Sequence, residues 1–311
     1  MTSIRNRVRA LLFACSLVAC SASVGAVDEP DAEVRCESAR FTFDTTPAEV
    51  LFVVDRSSSM TTMTEDHVSR WDALTAAMRE VLPGLDARLP MGLVTFPEAG
   101  DCSVSANPAV PVRASAGGQI ATRLAMRAPY GYTPTLAAIR QAARYFEQNP
   151  SARRRVIVLA TDGPPNCGNT MTDVVNALTD IRMTLHVDTL ILGIPGENVA
   201  LRRTLHDMAV AGGRPRAGGL GFYEAGQTAE FVAALRAITA DAMRCEYRLP
   251  SAPRATDRVT VRVDSVEITR GSHLGWDFID DTRQEIRLGS EACARLTRGE
   301  VRSIDVRFTC D

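Results

Sequence analysis

A chain of 311 residues, 45% of them hydrophobic, is long enough for two domains, or one large domain with an appendage, and apolar enough for a full core. Its formal charge is −2, from 35 basic and 37 acidic side chains, so no cationic excess exists to neutralise phosphates, and nucleic acid is excluded as the default partner. Every basic residue is arginine, which is a compositional bias and not a functional signal.

The N-terminus reads as a targeting segment. Arg5, Arg7 and Arg9 precede a short apolar stretch from Ala10 to Ala19, too short to span a bilayer as a mature helix. Leu17-Val18-Ala19-Cys20 resembles a bacterial lipobox. The resemblance implies a signal peptide over residues 1–19, lipidation of Cys20 and a membrane anchor. Ser21, in place of Asp, implies the outer membrane of the cell envelope. The alternative is plain secretion with cleavage after Val24-Gly25-Ala26; both readings export the chain. With Cys15 and Cys20 set aside, six cysteines remain: Cys36, Cys102, Cys167, Cys245, Cys293 and Cys310. An even number in an exported chain points to disulfides, and fifteen connectivities are open. The expected set is Cys36–Cys245 bracketing the main domain, Cys102–Cys167 between two loops, and Cys293–Cys310 within the tail. No CxxC pair or HExxH occurs, so zinc is not expected.

Residues 20–45 read as a polar tether that ends in a short strand around Phe41-Thr42-Phe43. Over 46–244, strands and helices alternate. Leu51–Val54 is a strand, and Trp71, Leu74, Met78, Val81 and Leu85 recur at helical spacing. Met91–Phe96 is a strand, then Leu136, Ile139, Ala143 and Phe146 mark a helix. The strand Val156–Ala160 is followed by a helix at Val174, Leu178 and Ile181. Leu190–Leu192 is a strand core, and Leu201, Leu205 and Met208 mark a helix. Phe222-Tyr223 is a short strand, and Phe231, Leu235, Ile238 and Ala242 mark the last helix. The order predicts an α/β fold: a doubly wound, mostly parallel sheet flanked by helices. Without a GxGxxG after the first strand or a phosphate-binding loop, nucleotide binding is disfavoured. From Cys245 onward the period changes to two, at Val259, Val261 and Val263, then Ile286 and Leu288, then Ile304, Val306 and Phe308. With no helical stripe visible, residues 245–311 predict a small, disulfide-stapled antiparallel β module.

Three segments carry the chemistry. Asp55-Arg56-Ser57-Ser58-Ser59 follows the first strand of the domain. Gly131-Tyr132-Thr133-Pro134-Thr135 precedes a helix, and Thr161-Asp162-Gly163 ends the Val156–Ala160 strand. All fall where an open α/β sheet binds ligands, at the carboxyl ends of its strands. Two carboxylates and three hydroxyls are hard oxygen donors suited to a divalent cation. Thr133 also has the context of a helix N-cap, with Pro134 at the first helical position. Read singly, Ser57 and Ser59 fit a polar turn, and Asp162-Gly163 a plain one.

In this order and strand context, the segments resemble the von Willebrand factor type A domain family with its metal-ion-dependent adhesion site. The resemblance covers residues 46–244 and implies a Rossmann-like fold. Its DxSxS, Thr and Asp positions fall on Asp55, Ser57, Ser59, Thr133 and Asp162. It departs from the common pattern at Ser58 and Tyr132, neither of which supplies a family ligand. It implies direct coordination of Mg²⁺, or Mn²⁺ or Ca²⁺, by Ser57, Ser59 and Thr133, with Asp55 and Asp162 acting through waters. It further implies a partner protein whose carboxylate completes the coordination, and no enzyme activity or small-molecule substrate. Tyr132 and the loops Thr61–Asp66 and Asn166–Asn169 would form the rim.

Two other function classes compete: a metal-independent envelope scaffold, and a serine hydrolase with Ser57 as nucleophile. The second lacks a G-x-S-x-G elbow. His67, His186, His206 and His273 have no metal-ligand spacing, and Asp277, Asp280 and Asp281 read as a solvated turn. Arg153-Arg154-Arg155 reads as a solvated lead into a strand.

Overall fold

The computed structural model describes residues 39–43 and 48–309, apart from residues 152, 197, 217, 256 and 272. The chain begins with β1 (Ala39–Phe43), β2 (Ala48–Asp55), α1 (Arg70–Val81), β3 (Met91–Phe96), β4 (Val110–Arg113) and α2 (Gly117–Ala125). It continues with α3 (Thr135–Gln148), β5 (Arg154–Thr161), α4 (Met171–Leu185), β6 (Val187–Gly193), α5 (Val199–Ala211), β7 (Tyr223–Glu224) and α6 (Thr228–Ala242). The remainder is β8 (Glu246–Arg248), β9 (Arg258–Val263), β10 (Val266–Ile268), β11 (Trp276–Phe278), β12 (Glu285–Leu288), α7 (Ser290–Thr297) and β13 (Ile304–Thr309).

All eight residues of β2 are buried, as a strand covered on both faces requires. It lies inside a six-stranded sheet of order β4-β3-β2-β5-β6-β7, parallel except for the β3–β4 edge pair. Val50, Phe52 and Val54 pack into one core layer with α1, α2 and α6. Leu51 and Val53 point the other way, into a layer with α3, α4 and α5. This is the doubly wound architecture expected from the alternating pattern. Sequence periodicity did not reveal β4 or α2. β4 is a four-residue edge strand containing Pro111, and α2 starts on Gly117-Gly118 after Ala116, its first N–H accepted by the distant Asp86 and not by a local cap, so neither carries the usual signals.

The C-terminal region forms two antiparallel sheets, β1-β13-β9-β10 and β11-β12-β8, around a core of its own. β1 pairs with β13 along its whole length, from Ala39 opposite Phe308 to Phe43 opposite Ile304. Asp305 on β13 accepts from Thr42 Oγ1 at 2.8 Å and pairs with Arg40 at 3.0 Å. The region also contains α7, which the period-two pattern did not predict. Its eight residues bury only Ala292 and Leu296, too few to write a stripe.

The cysteine pairing is partly corrected. Cys102 and Cys167 are joined as expected, but Cys245 is bonded to Cys293. That contact excludes both Cys36–Cys245 and Cys293–Cys310. The cause is local: Leu288 N donates to Cys245 O at 2.9 Å, so the end of β12 runs beside Cys245 and the first turn of α7 carries Cys293 over it. Cys36 and Cys310 lie outside the described residues, as do the signal peptide, the lipobox at Cys20 and most of the tether. Among the described residues, no helix is long and apolar enough to cross a membrane.

Arg154 and Arg155 are also corrected: neither is a solvated lead-in. Arg154 pairs with Glu246 of β8 at 3.2 Å and with Asp188 of β6 at 3.6 Å. Arg155 donates to Phe146 O at 3.1 Å and to Leu185 O. Arg214 joins the same buried cluster through Asp188 and Glu246, and Arg287 Nε donates to Glu246 at 2.8 Å. Burial opposes ionisation of Glu246, but the guanidiniums of Arg214, Arg154 and Arg287 outweigh it and hold the carboxyl below the usual range.

Candidate functional site

The apolar run of β2 delivers Asp55 to the carboxyl edge of the sheet, where its side chain is fully buried. Ser57 is extended, and Ser58–Thr61 then close one tight helical turn around the buried Met60. The turn brings Ser57 Oγ to 3.0 Å from Ser59 Oγ. Ser59 Oγ in turn donates to Asp162 Oδ1 at 2.7 Å, so residues 103 positions apart meet. Asp55 accepts from Ser57 N at 2.8 Å and from Thr161 Oγ1, at the end of β5, at 2.7 Å.

The loop carrying Thr133 is docked on the same turn. Ser58 N donates to Gly131 O at 3.1 Å, and Gly131 N donates to Ser58 Oγ at 2.8 Å. The approach needs glycine: at Gly131, with φ of 90°, a Cβ would fall 2.1 Å from Gly100 O. Thr133 does not cap α3. The helix begins at Thr135 with Pro134 in the cap position, and Pro134 has no side-chain acceptor to cap it. The Thr133 backbone is instead clamped by Asn166, whose Oδ1 accepts from Thr133 N at 2.7 Å while its own N–H donates to Thr133 O at 3.1 Å. Asn166 Nδ2 lies 3.5 Å from Thr133 Oγ1, a long contact that leaves the hydroxyl available. The Cys102–Cys167 disulfide fastens this Asn166 loop to the loop after β3.

Two residues of the site were not singled out by sequence. Arg56, the second residue of the DxSxS stretch, is 2% exposed. It donates to Ala128 O at 2.8 Å and Glu98 O at 2.5 Å, and its guanidinium lies 4.8 Å from the Tyr130 ring centre. It braces the rim from within. Arg70, the first residue of α1, places Nη1 2.7 Å from Asp162 Oδ2. Its partner lies 92 positions away, and no local spacing announces such a pair.

Electrostatically the site is short of positive charge. Asp55 and Asp162 are both buried, and the guanidinium of Arg70 pairs with Asp162. Burial, and then the neighbouring Asp162 charge, push Asp55 up to about 7 against the hydrogen bonds from Ser57 and Thr161. The donor set is oxygen alone, in hydroxyls and carboxylates, and it fits a hard divalent cation. Among the described residues, no cluster of three or more His, Cys, Asp or Glu forms a metal site of the conventional kind. The rim includes Tyr132 and Tyr130, 57% and 47% exposed, beside the site. The hydroxyl of Ser57 is bonded to Ser59, with no histidine among its partners in the described residues. His206 Nδ1 is bonded to Leu220 O, and Asp280 accepts from Thr282 in a turn.

Residues 50–164 match a family model described as the von Willebrand factor type A domain. No curated protein matches the chain. Among solved structures, the pilus adhesin SpaC from Lactobacillus rhamnosus GG matches at 13% identity with a TM-score of 0.51, over 85% of this chain and 39% of that one. Its open conformation matches at 14% identity with a TM-score of 0.50, over 85% and 38%. The chain therefore spans about two-fifths of the length of these adhesin chains. The vWF domain of the type V pili tip protein Mfa5 from Porphyromonas gingivalis matches at 13% identity with a TM-score of 0.46, over 64% of this chain and 95% of that one. Over residues 50–164, within its α/β part, the chain is similar to von Willebrand factor type A domains, and it shares its fold with the SpaC adhesin.

Proposed function

We propose that this domain binds a protein ligand through a divalent cation, in an exported protein held at the cell envelope by a lipid on Cys20. The observation that carries the reading is the chain Ser57 Oγ–Ser59 Oγ–Asp162 Oδ1, with links of 3.0 and 2.7 Å, set beside the buried Asp55 at the end of β2. Ser57, Ser59 and Thr133 would hold Mg²⁺, Mn²⁺ or Ca²⁺, with Asp55 and Asp162 balancing its charge. Three neutral hydroxyls leave such a cation undercompensated, and it supplies an electrophilic point for a carboxylate of the partner. The exposed rings of Tyr130 and Tyr132 suit a partner surface. Disulfides support export. No bond is cleaved in this reading.

Calorimetric titration with Mg²⁺ and Mn²⁺ tests it. The wild type should bind, and Asp162→Ala should bind roughly 10–100-fold more weakly while keeping its circular dichroism spectrum. Capture of an envelope protein should be lost on adding chelator. A second reading is a scaffold that needs no metal, and the Arg70–Asp162 ion pair favours it by neutralising the site from within. Absence of heat and of any thermal shift with either ion would establish that alternative.

A further inference from the structure

Of the two acids in the site, Asp162 meets a cation of the chain's own. Its side chain is wholly buried, and both its oxygens are taken: Oδ1 by Ser59 Oγ and Oδ2 by Arg70 Nη1, each at 2.7 Å. The Ser59 hydroxyl can rotate and still offer its oxygen to a metal. The guanidinium cannot; it is a fixed positive charge on the carboxylate that would balance a dication. Arg70 is also at an unfavourable place for a cation. It is the first residue of α1, where unpaired N–H groups make the potential positive and an acid such as Asp72 is the favoured residue. Asp162 is what holds it there, and the Arg70 side chain keeps 18% of its surface exposed. Gly196 lies beside it: a Cβ there would stand 3.4 Å from Arg70 Nη2. Glycine at that position keeps a side chain from crowding the guanidinium.

We propose that Arg70 is a displaceable internal counter-cation that competes with the divalent ion for Asp162, an inference that rests on the metal reading above. In one arrangement the guanidinium neutralises Asp162 and the fold needs no metal. In the other the dication takes over that charge and Arg70 turns outward past Gly196. The affinity of the site is then set by an exchange of one cation for another. The same exchange puts a positive side chain on the rim when metal is bound, where it attracts the acidic partner.

The test is titration of the full chain and its Arg70→Gln and Arg70→Lys variants with Mg²⁺ and Mn²⁺, together with thermal melts in chelator and in Mg²⁺. Arg70→Gln should bind either ion roughly tenfold more tightly or better, as expected for removing one charge-assisted contact. It should melt below the wild type in chelator and recover that loss in Mg²⁺. Arg70→Lys keeps the charge without the planar fork and should fall between. If Arg70→Gln does not fold, Arg70→Lys carries the test by the same criterion of tighter binding than wild type. Equal or weaker binding by the variants, with the wild type binding, overturns the competition and leaves the metal reading intact. No binding by any of the three overturns both.

Discussion

At the scale of single residues, the DxSxS stretch does two jobs with alternate positions. Asp55, Ser57 and Ser59 face the site, while Arg56, between Asp55 and Ser57, points inward and holds the carbonyls of Glu98 and Ala128. Arg56→Met should keep much of the volume but leave the carbonyls of Glu98 and Ala128 without their donor. We expect a loss of about 2–4 kcal/mol in urea unfolding, with faster amide exchange over residues 98–103 and 128–132. Unchanged exchange in those loops would remove Arg56 from any role in shaping the rim. Asp55, Ser57, Ser59, Thr133 and Asp162 were legible as candidates in the sequence, because they follow a strand or precede a helix and because their order is distinctive; the metal role given to them is what the titration tests. Arg56 and Arg70 were not. A buried or paired arginine looks the same in sequence as a solvated one, and its partners here are 42 to 92 positions away. Arg154 was misread for the same reason, since its partner Glu246 is 92 positions on.

At the scale of elements, the site is a junction of three loops, and the Cys102–Cys167 disulfide ties two of them. Cys167 is adjacent to Asn166, and Asn166 clamps Thr133. Replacing both cysteines by serine should cost about 2–4 kcal/mol, as for removal of other native crosslinks. The structural path adds a more specific expectation. The amides of Thr133 and Asn166 should lose protection in hydrogen exchange by more than those of β2 and β5. Uniform loss across the domain would mean that the crosslink acts on the unfolded chain alone. This pairing was anticipated as a bond between two loops. The Cys245–Cys293 bond was not, because it depends on α7, whose two buried residues give no periodic signal. Strands β9, β12 and β13 were legible from their period of two, but their division into two sheets was not, since alternation fixes a face and not a neighbour.

At the scale of the whole molecule, the domain and the β module share a set of charges around the buried Glu246, far from the metal candidate. Glu246 of β8 is surrounded by Arg154, Arg214 and Arg287, which come from both regions. Its carboxyl is held below the usual range, so the unfolded chain takes up a proton there more readily than the folded one. The stabilisation is therefore complete above its ordinary value of 4.5 and is lost as the pH falls through the lower, folded value. Glu246→Gln should lower the urea midpoint at neutral pH, and the gap to wild type should narrow as the pH falls below 4.5. A gap independent of pH would assign the loss to packing. Because the cluster joins both regions, the wild type should unfold in one transition, followed by fluorescence of Trp71 in α1 and Trp276 in β11.

The pairing of β1 with β13 bears on how the protein can be cut. A fragment starting at residue 46, which the extent of the family resemblance would suggest, omits β1. Asp305 then loses Arg40 and Thr42, and the rings of Phe308 and Tyr247 lose Phe41 and Phe43. One side of β13 becomes a bare row of N–H and C=O groups beside an apolar face, a template on which a second copy can add a strand. Such a fragment is expected to self-associate in light scattering, while one that begins ahead of Ala39 should not. Five residues that lie outside the α/β domain in sequence are thus what keeps the other end of the chain from becoming adhesive in the wrong place.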